Sequence, residues 1–544
     1  MAEFAPTRTP TSDADLNVNS PKRLALAGLA LGVVVEVLFF DHVPGVSFVL
    51  WAAACLAAVF LLAPLERAPA ARAAFGLAAP ILLFSGLVAF RLEPLSVFLD
   101  AVLTFFFLGW LVRAFRQGRP FDYGWIDLAL AAAWTPLEAW IRPWGVLQIA
   151  GRQVLGERAA RSRWLGILRG VILVLPLLVI FASLFASADL VFSGYVNRLL
   201  RWLNLDQLSE YLARLLLIIF STVFLLGALV VALRHPGDRA FIGRDRPLLP
   251  RFLGFIEGAI VLGGVDLLFL VFVAVQFGYL FGGQANITAA GYTYAEYARR
   301  GFFELVAAAL LSFGLIYALA IVARRETPGQ STGFHLGAVL LVLLTGVILI
   351  SAFFRLRLYE DAYGFTRLRT YTHVAIVWMA VLSMVFLGLL LSGRLRAFAP
   401  LAVLGVAGFA LTLNLMNIDS FIVQRNAARL ARGGEVDVAY LLSLSDDAVP
   451  GLVRLAGQAP AQVRADLLPG LACRRAAVEG WFDEAGWPST HLARLRARQA
   501  LAGMDGVLRA FPVGKGTGDM QGWPQVVLLP DGEHVPCYDL LRWD

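Results

Sequence analysis

Eleven windows of 17 or more mostly apolar residues run through this chain, at about 24 to 40, 45 to 64, 72 to 90, 95 to 115, 164 to 187, 209 to 233, 252 to 281, 302 to 323, 333 to 354, 372 to 392 and 396 to 416. Each falls within the length that a helix needs to cross a bilayer. A soluble fold has no room for them. With 59% hydrophobic and 16% charged residues and a mean hydropathy of +0.72, the 544 residues carry more apolar surface than one core of that size can hide. The expected fold is an all-α polytopic membrane protein with about 11 transmembrane helices, and the lipid bilayer is its first partner.

The stretch from Trp125 to Ala150 mixes Pro136, Glu138, Arg142 and Pro143 with four tryptophans. It reads as an amphipathic helix in the interface, where indole rings settle, with a twelfth span as the alternative. Orientation follows from Lys and Arg in the connections. With the N-terminus in the cytoplasm, the inner connections hold 22 of these residues and the outer ones 9, which favours that topology. Eleven crossings then put the C-terminal tail outside. The first 22 residues are polar and lack the apolar core and cleavage site of a secretory signal, so the first helix is expected to stay as an anchor.

The expected organisation is a disordered cytoplasmic segment at 1–22 and a four-helix membrane region at 23–115. A cytoplasmic interfacial segment at 116–163 and a seven-helix membrane core at 164–416 follow. An extracytoplasmic C-terminal domain occupies 417–544. Within the core, 188 to 208 places Phe192, Val196, Leu199 and Leu203 on one helical face, as a helix lying flat on a leaflet would. In the C-terminal domain, Ser445 followed by Asp446 and Asp447 resembles a helix start. Asp531-Gly532 between two short strand-like runs signals a two-residue β-hairpin at the end of a mostly helical domain.

Two polar strips stand between apolar windows, GYTYAEYARRGFFE at 291–304 and RLRLYEDAYGFTRLRTYTH at 355–373. Six of the nine outward arginines lie in them, and charged groups beside a span need partners or water. In the first, Thr293 and Glu296 have capping-box spacing, while Tyr297, Arg300 and Glu304 share a face. Arg300 with Glu304 is either a structural ion pair or an anion site in which the carboxylate positions the guanidinium. In the second, a helix should stop at Gly364 and restart at Thr366, making a hairpin with a polar tip. Arg355, Tyr359 and Tyr363 lie four apart, and Arg369 and His373 form an i,i+4 pair. These groups either seal the tip or converge on a phosphate, a carboxylate or a lipid head group. The candidate ligand-binding set is Tyr297, Arg299, Arg300, Glu304, Arg357, Tyr359, Tyr363, Arg367, Arg369, His373, Asn417 and Asp419. His373 has no companion at metal-ligand spacing, so no metal or other cofactor is expected.

Acids inside spans are Glu36, Asp100, Glu257 and Asp266, and Asp266 lies deepest. Asp266, with Glu257, is a candidate proton or ion relay, or else a protonated acid bonded to a neighbouring helix. Of the three cysteines, Cys55 lies in a span, whereas Cys473 and Cys537 lie in the tail, as one disulfide or as two free thiols. No catalytic motif stands out: FPVGKGTGD at 511–519 lacks phosphate-loop spacing, and HExxH and CxxC are missing. The net charge of +7 resides in loop arginines without interleaved aromatics, which argues against nucleic acid as a partner.

YAEYARRGFFEL, LYEDAYGFTRLRTYTHV, NIDSFIVQRN at 417–426 and DVAYLLSLSDDAVP at 437–450 occur in that order. Together they resemble bacterial multi-pass membrane proteins grouped as domain-of-unknown-function family 4173, related to family 4153. The resemblance covers roughly residues 160 to 450, and past about Glu484 the chain is similar only loosely. It implies a bacterial inner-membrane helical protein and carries no reaction or cofactor. It places Tyr297, Arg299, Arg300, Glu304, Tyr359, Tyr363, Gly364, Arg367, Asn417, Asp419 and Asn426 at motif positions. The expected role is a non-catalytic envelope binding protein with an anionic or lipid-linked ligand and a protein-binding tail. The alternatives are an ion- or proton-coupled transporter using Asp266 and a membrane enzyme using Glu304 on an envelope lipid or glycan.

Overall fold

Close helix packing in lipid needs small residues, and the first helix supplies them. The computed structural model of the protein describes residues 21–63, 75–117, 123–160, 163–202, 206–233, 251–281, 302–515 and 525–541. Helices α1 (Pro21–Phe39), α2 (Val46–Leu62), α3 (Ala78–Phe90) and α4 (Pro94–Gln117) bundle with α9 (Asp206–Leu233). Gly28 and Gly32, one turn apart on α1, face α9: a Cβ at Gly28 would stand 2.8 Å from that of Leu226, and one at Gly32 would stand 2.1 Å from Thr222 Oγ1. Phe84, Phe107 and Trp110 stack at the centre, with centroids 6.1 and 6.0 Å apart.

Between α4 and α9 lie α5 (Trp125–Ile141) and α6 (Pro143–Ala160), then α7 (Arg163–Ala188) and α8 (Leu190–Trp202). The Trp-rich α5 packs against both α4 and α9, and Arg113 donates to Thr135 Oγ1 at 2.9 Å and pairs with Glu138 at 3.3 Å. The segment expected to lie flat contains α8, which packs on α7 and leaves Phe192 and Tyr195 exposed.

A second bundle holds α10 (Phe255–Phe281), α11 (Phe302–Val322), α12 (Pro328–Tyr363), α13 (Arg367–Leu391) and α14 (Phe398–Met416). Thr327 caps α12, accepting from the Gln330 amide at 3.3 Å. Gly364 ends it at φ 79°, in the left-handed region that glycine tolerates, and Thr366 opens α13. The two bundles meet where Asn414 of α14 donates to Asp100 of α4 at 3.0 Å.

Among the described residues, seven helices are long and apolar enough to cross a membrane, within α4 and α9 to α14. The remaining four expected windows are helical too, but α3 has only 13 residues, about 20 Å against a core of about 30 Å, and α1 carries Lys22, Arg23 and Glu36. Among the described residues, seven spans therefore stand on length and composition, and the expected count of eleven is not confirmed.

Asn417, in the left-handed conformation that Asn accepts more readily than most residues, turns the chain from α14 into α15 (Ile418–Leu430). The domain continues with α16 (Val438–Leu442), α17 (Val449–Gln458), α18 (Ala461–Glu484), α19 (Leu492–Ala502), α20 (Asp505–Leu508) and α21 (Cys537–Leu541). Strands β1 (Val513–Gly514), β2 (Val526–Leu528) and β3 (His534–Pro536) form an antiparallel sheet in that order. Leu441, Leu452, Leu467, Leu471, Leu508 and Val527 fill its core, and the disulfide Cys473–Cys537 ties α18 to α21.

Two local expectations need correction. The final hairpin turns on three residues, 530 to 532, closed by a bond from the Leu529 amide to Glu533 O, with Gly532 at φ 90°; β1 adds a third strand. Ser445 does not cap a helix: α17 starts at Val449, because Asp446 and Asp447 are drawn to arginines elsewhere in the fold.

Candidate functional site

The ends of several helices converge where the C-terminal domain sits on the bundles, and buried charges there meet in matched sets. Arg367, at the start of α13, gives Nε and Nη2 to the two oxygens of Asp419 at 2.8 and 2.6 Å, and the Ser445 amide donates to the same carboxylate at 2.8 Å. The Arg367 amide donates to Tyr440 Oη at 2.7 Å. In the α3–α4 corner, Arg91 bonds Asn414 O at 3.0 and 2.6 Å and pairs with Asp447 at 3.2 Å, while the Leu92 amide donates to Asp447 at 2.7 Å. Glu93 accepts from the amides of Leu95 and Ser96 at 2.9 and 2.8 Å, and from Tyr371 Oη of α13.

Inside the domain, Asp446 is held by Arg474 at 3.2 Å and Arg494 at 2.8 Å. Burial pushes the Asp447 carboxyl up against the opposing pull of the Leu92 amide and Arg91. Burial likewise lowers Arg474, against the raising effect of Asp446. Asn426, from the third motif, matches the backbone of Phe365 in both directions at 2.9 and 3.1 Å. A Cβ on Gly364 would stand 2.6 Å from Asn426 Oδ1, so this glycine serves both the turn and the contact.

The second strip is thus divided. Arg367 and Tyr371 turn into the junction, whereas Arg369 donates to Gly364 O at 2.5 Å and stacks over Tyr359 at 4.1 Å, beside exposed Tyr363 and Arg357. The Tyr359 and Tyr363 rings lie 5.0 Å apart. Arg355 leaves that face and reaches Gln276 at 2.5 Å. His373 does not pair with Arg369: its Nδ1 lies 3.1 Å from Glu360 of α12, because that buried acid faces it across the hairpin. Tyr297, Arg299 and Arg300 lie outside the described residues, as does the Thr293 capping box, and Glu304 is exposed at the start of α11. Asn417 serves as the α14–α15 turn.

Sequence reading missed Arg91, Glu93, Asn414, Tyr371 and Tyr440. The signal was present in RLEP at 91–94, two opposite charges between apolar windows. Chemically, the junction holds one element against another: its carboxylates are filled by guanidinium, amide, phenol and hydroxyl donors, the last from Ser96 Oγ to Glu93 at 2.5 Å.

A half-open pocket lies at the far end of the second bundle, where a bridge between Leu253 and Ala323 ties α10 to α11. Phe255, Gly258, Leu262, Gly263, Asp266, Arg325, Phe334 and Gly337 line a cavity of about 220 Å³. Asp266, about 16 Å along α10 from Phe255, is 7% exposed, and its Oδ1 is buried without a hydrogen-bond partner. Glu257 does not share this cavity; it accepts from the Gly254 amide at 2.7 Å, at the helix start. Arg325 donates to Ala320 O at 2.7 Å and lies over Phe334. Burial, reinforced by Arg251, lowers its pKa, as expected of a guanidinium short of counter-charge. Among the described residues no three His, Cys, Asp or Glu side chains gather as a metal site would need.

These helices and their junction define an integral membrane protein whose C-terminal domain is clasped to the helix bundles. The chain belongs to the family described as "Domain of unknown function (DUF4153)", whose model matches residues 78–455. That range takes in Arg91 and Glu93 as well as Asp447. The match is to this family, which the resemblance above named as the related one. No curated protein and no solved structure matches the chain.

Proposed function

We propose that the protein is a non-catalytic interaction protein of the bacterial inner membrane, which binds an anionic head group at the Tyr/Arg rim beside its C-terminal domain. The observation that carries this reading is the division of the second strip. Arg367 is consumed by Asp419, while Arg357 is exposed and Arg369 stands on Tyr359 next to exposed Tyr363. Guanidinium and phenol groups at a leaflet suit phosphate oxygens, whether of a lipid or a lipid-linked precursor. The domain is the surface for a protein partner. A buried disulfide supports an extracytoplasmic domain, since such bonds persist in oxidising compartments, and the charge bias supports a cytoplasmic N-terminus. The four ordered motifs support a further tie to family 4173.

The test uses purified protein in nanodiscs of mixed phosphatidylglycerol and phosphatidylcholine. Arg357→Gln with Arg369→Gln should lower the enrichment of phosphatidylglycerol around the protein several-fold. Arg367→Gln should leave enrichment alone and loosen the domain instead. Equal enrichment in the double variant and the parent would count against the rim as a head-group site.

A further inference from the structure

The cavity between α10 and α12 carries two opposite charges that do not meet. Asp266 makes no hydrogen bond or ion pair to the described residues, and its Oδ2 lies 3.3 Å from where a Cβ on Gly337 would stand. Arg325 lies 4.6 Å from the Phe334 ring centroid and spends one N–H on Ala320 O. Phe334 and Gly337 are three residues apart on α12, about 4.5 Å of helical rise. The two charges therefore address neighbouring levels of one space, with Phe255, Ala259 and Leu262 as its apolar walls. Its 220 Å³ is about seven times the liquid volume of a water molecule, too small for a drug-sized ligand.

A bare carboxylate among apolar walls is costly unless it gains a cation, and a half-buried guanidinium seeks an anion. A metal ion would answer only the first need, and with one carboxylate, because Glu257 lies nine residues away on the opposite side of α10. One molecule carrying both charges answers both. We propose that this cavity binds a small zwitterion of the amino-acid class, its ammonium donating to Asp266 and its carboxylate accepting from Arg325. This site is independent of the head-group rim on the other face.

The experiment is thermal unfolding of the purified full chain with glycine, β-alanine or 4-aminobutyrate, set against butylamine and butyrate at the same millimolar concentration. At least one zwitterion should raise the melting temperature while both singly charged analogues leave it unchanged. Asp266→Asn and Arg325→Gln should each remove that shift, and Asp266→Asn should keep the unliganded melting temperature because it breaks no bond. The proposal is overturned if butylamine or butyrate matches the best zwitterion, if no zwitterion shifts the melting temperature, or if either folded variant retains the shift. If Arg325→Gln fails to fold, the comparison of zwitterion with amine in the parent protein decides alone.

Discussion

Asp419 shows how much one side chain can hold. It is fully buried, faces a guanidinium that is 25% exposed, and also takes the Ser445 amide. A buried pair adds little over an apolar replacement, but removing one member strands the other charge at a cost of roughly 3–5 kcal/mol. Asp419→Ala should therefore destabilise the junction by about 3 kcal/mol, the low end, since Arg367 keeps some access to water. Limited proteolysis between α15 and α16 would report it as faster cleavage. Cleavage at the parent rate would mean that the pair is not what fastens the domain.

Elements differ in how much of them one strand of sequence reveals. The break between α12 and α13 was legible because its causes are local: Gly364 must take a positive φ and Thr366 opens the next helix. Asp446 and Asp447 misled because their partners are remote: Arg474, Arg494 and Arg91 lie 28, 48 and 356 positions away. Asp266 stood out as an intramembrane acid, yet nothing in its own span announced that Arg325 would share its cavity. A similar long-range contact joins the domain to the α1–α2 corner, where His491 Nε2 lies 2.9 Å from Pro44 O and the Val46 amide donates to Thr490 O at 3.2 Å.

Burial is the larger influence on His491 and lowers its pKa, with Arg494 acting in the same direction and the carbonyls of Ser489 and Pro44 opposing. A depressed pKa means that the unfolded chain takes the proton first. The stabilisation is present above the ordinary histidine value of about 6.5 and is lost as pH falls through the lower folded value. The protection of the Val46 amide against exchange, corrected for the intrinsic rate at each pH, should fall from pH 7.5 to pH 5 more steeply in the parent than in His491→Gln. Parallel slopes would exclude His491 as the cause.

At the scale of the whole molecule, the domain acts as a clasp on loops that are far apart in the chain: 42 to 46, 91 to 93 and 364 to 367. Removing residues 431–544 would take away Asp447 and Tyr440 and uncover Arg91 at the end of α3. The truncated membrane region should then melt several degrees lower, followed by a thiol-reactive dye at Cys55, the buried free cysteine of the first bundle. An unchanged midpoint would show that the bundles stand without their cover.

The glycine face of α1 also sets a timetable. Its partner α9 begins about 170 residues after α1 ends, and at the pace of a ribosome that interval is roughly 10 to 30 s. For that long the newborn first helix waits in lipid with Gly28 and Gly32 unmatched, so the order of translation cannot be the order of assembly.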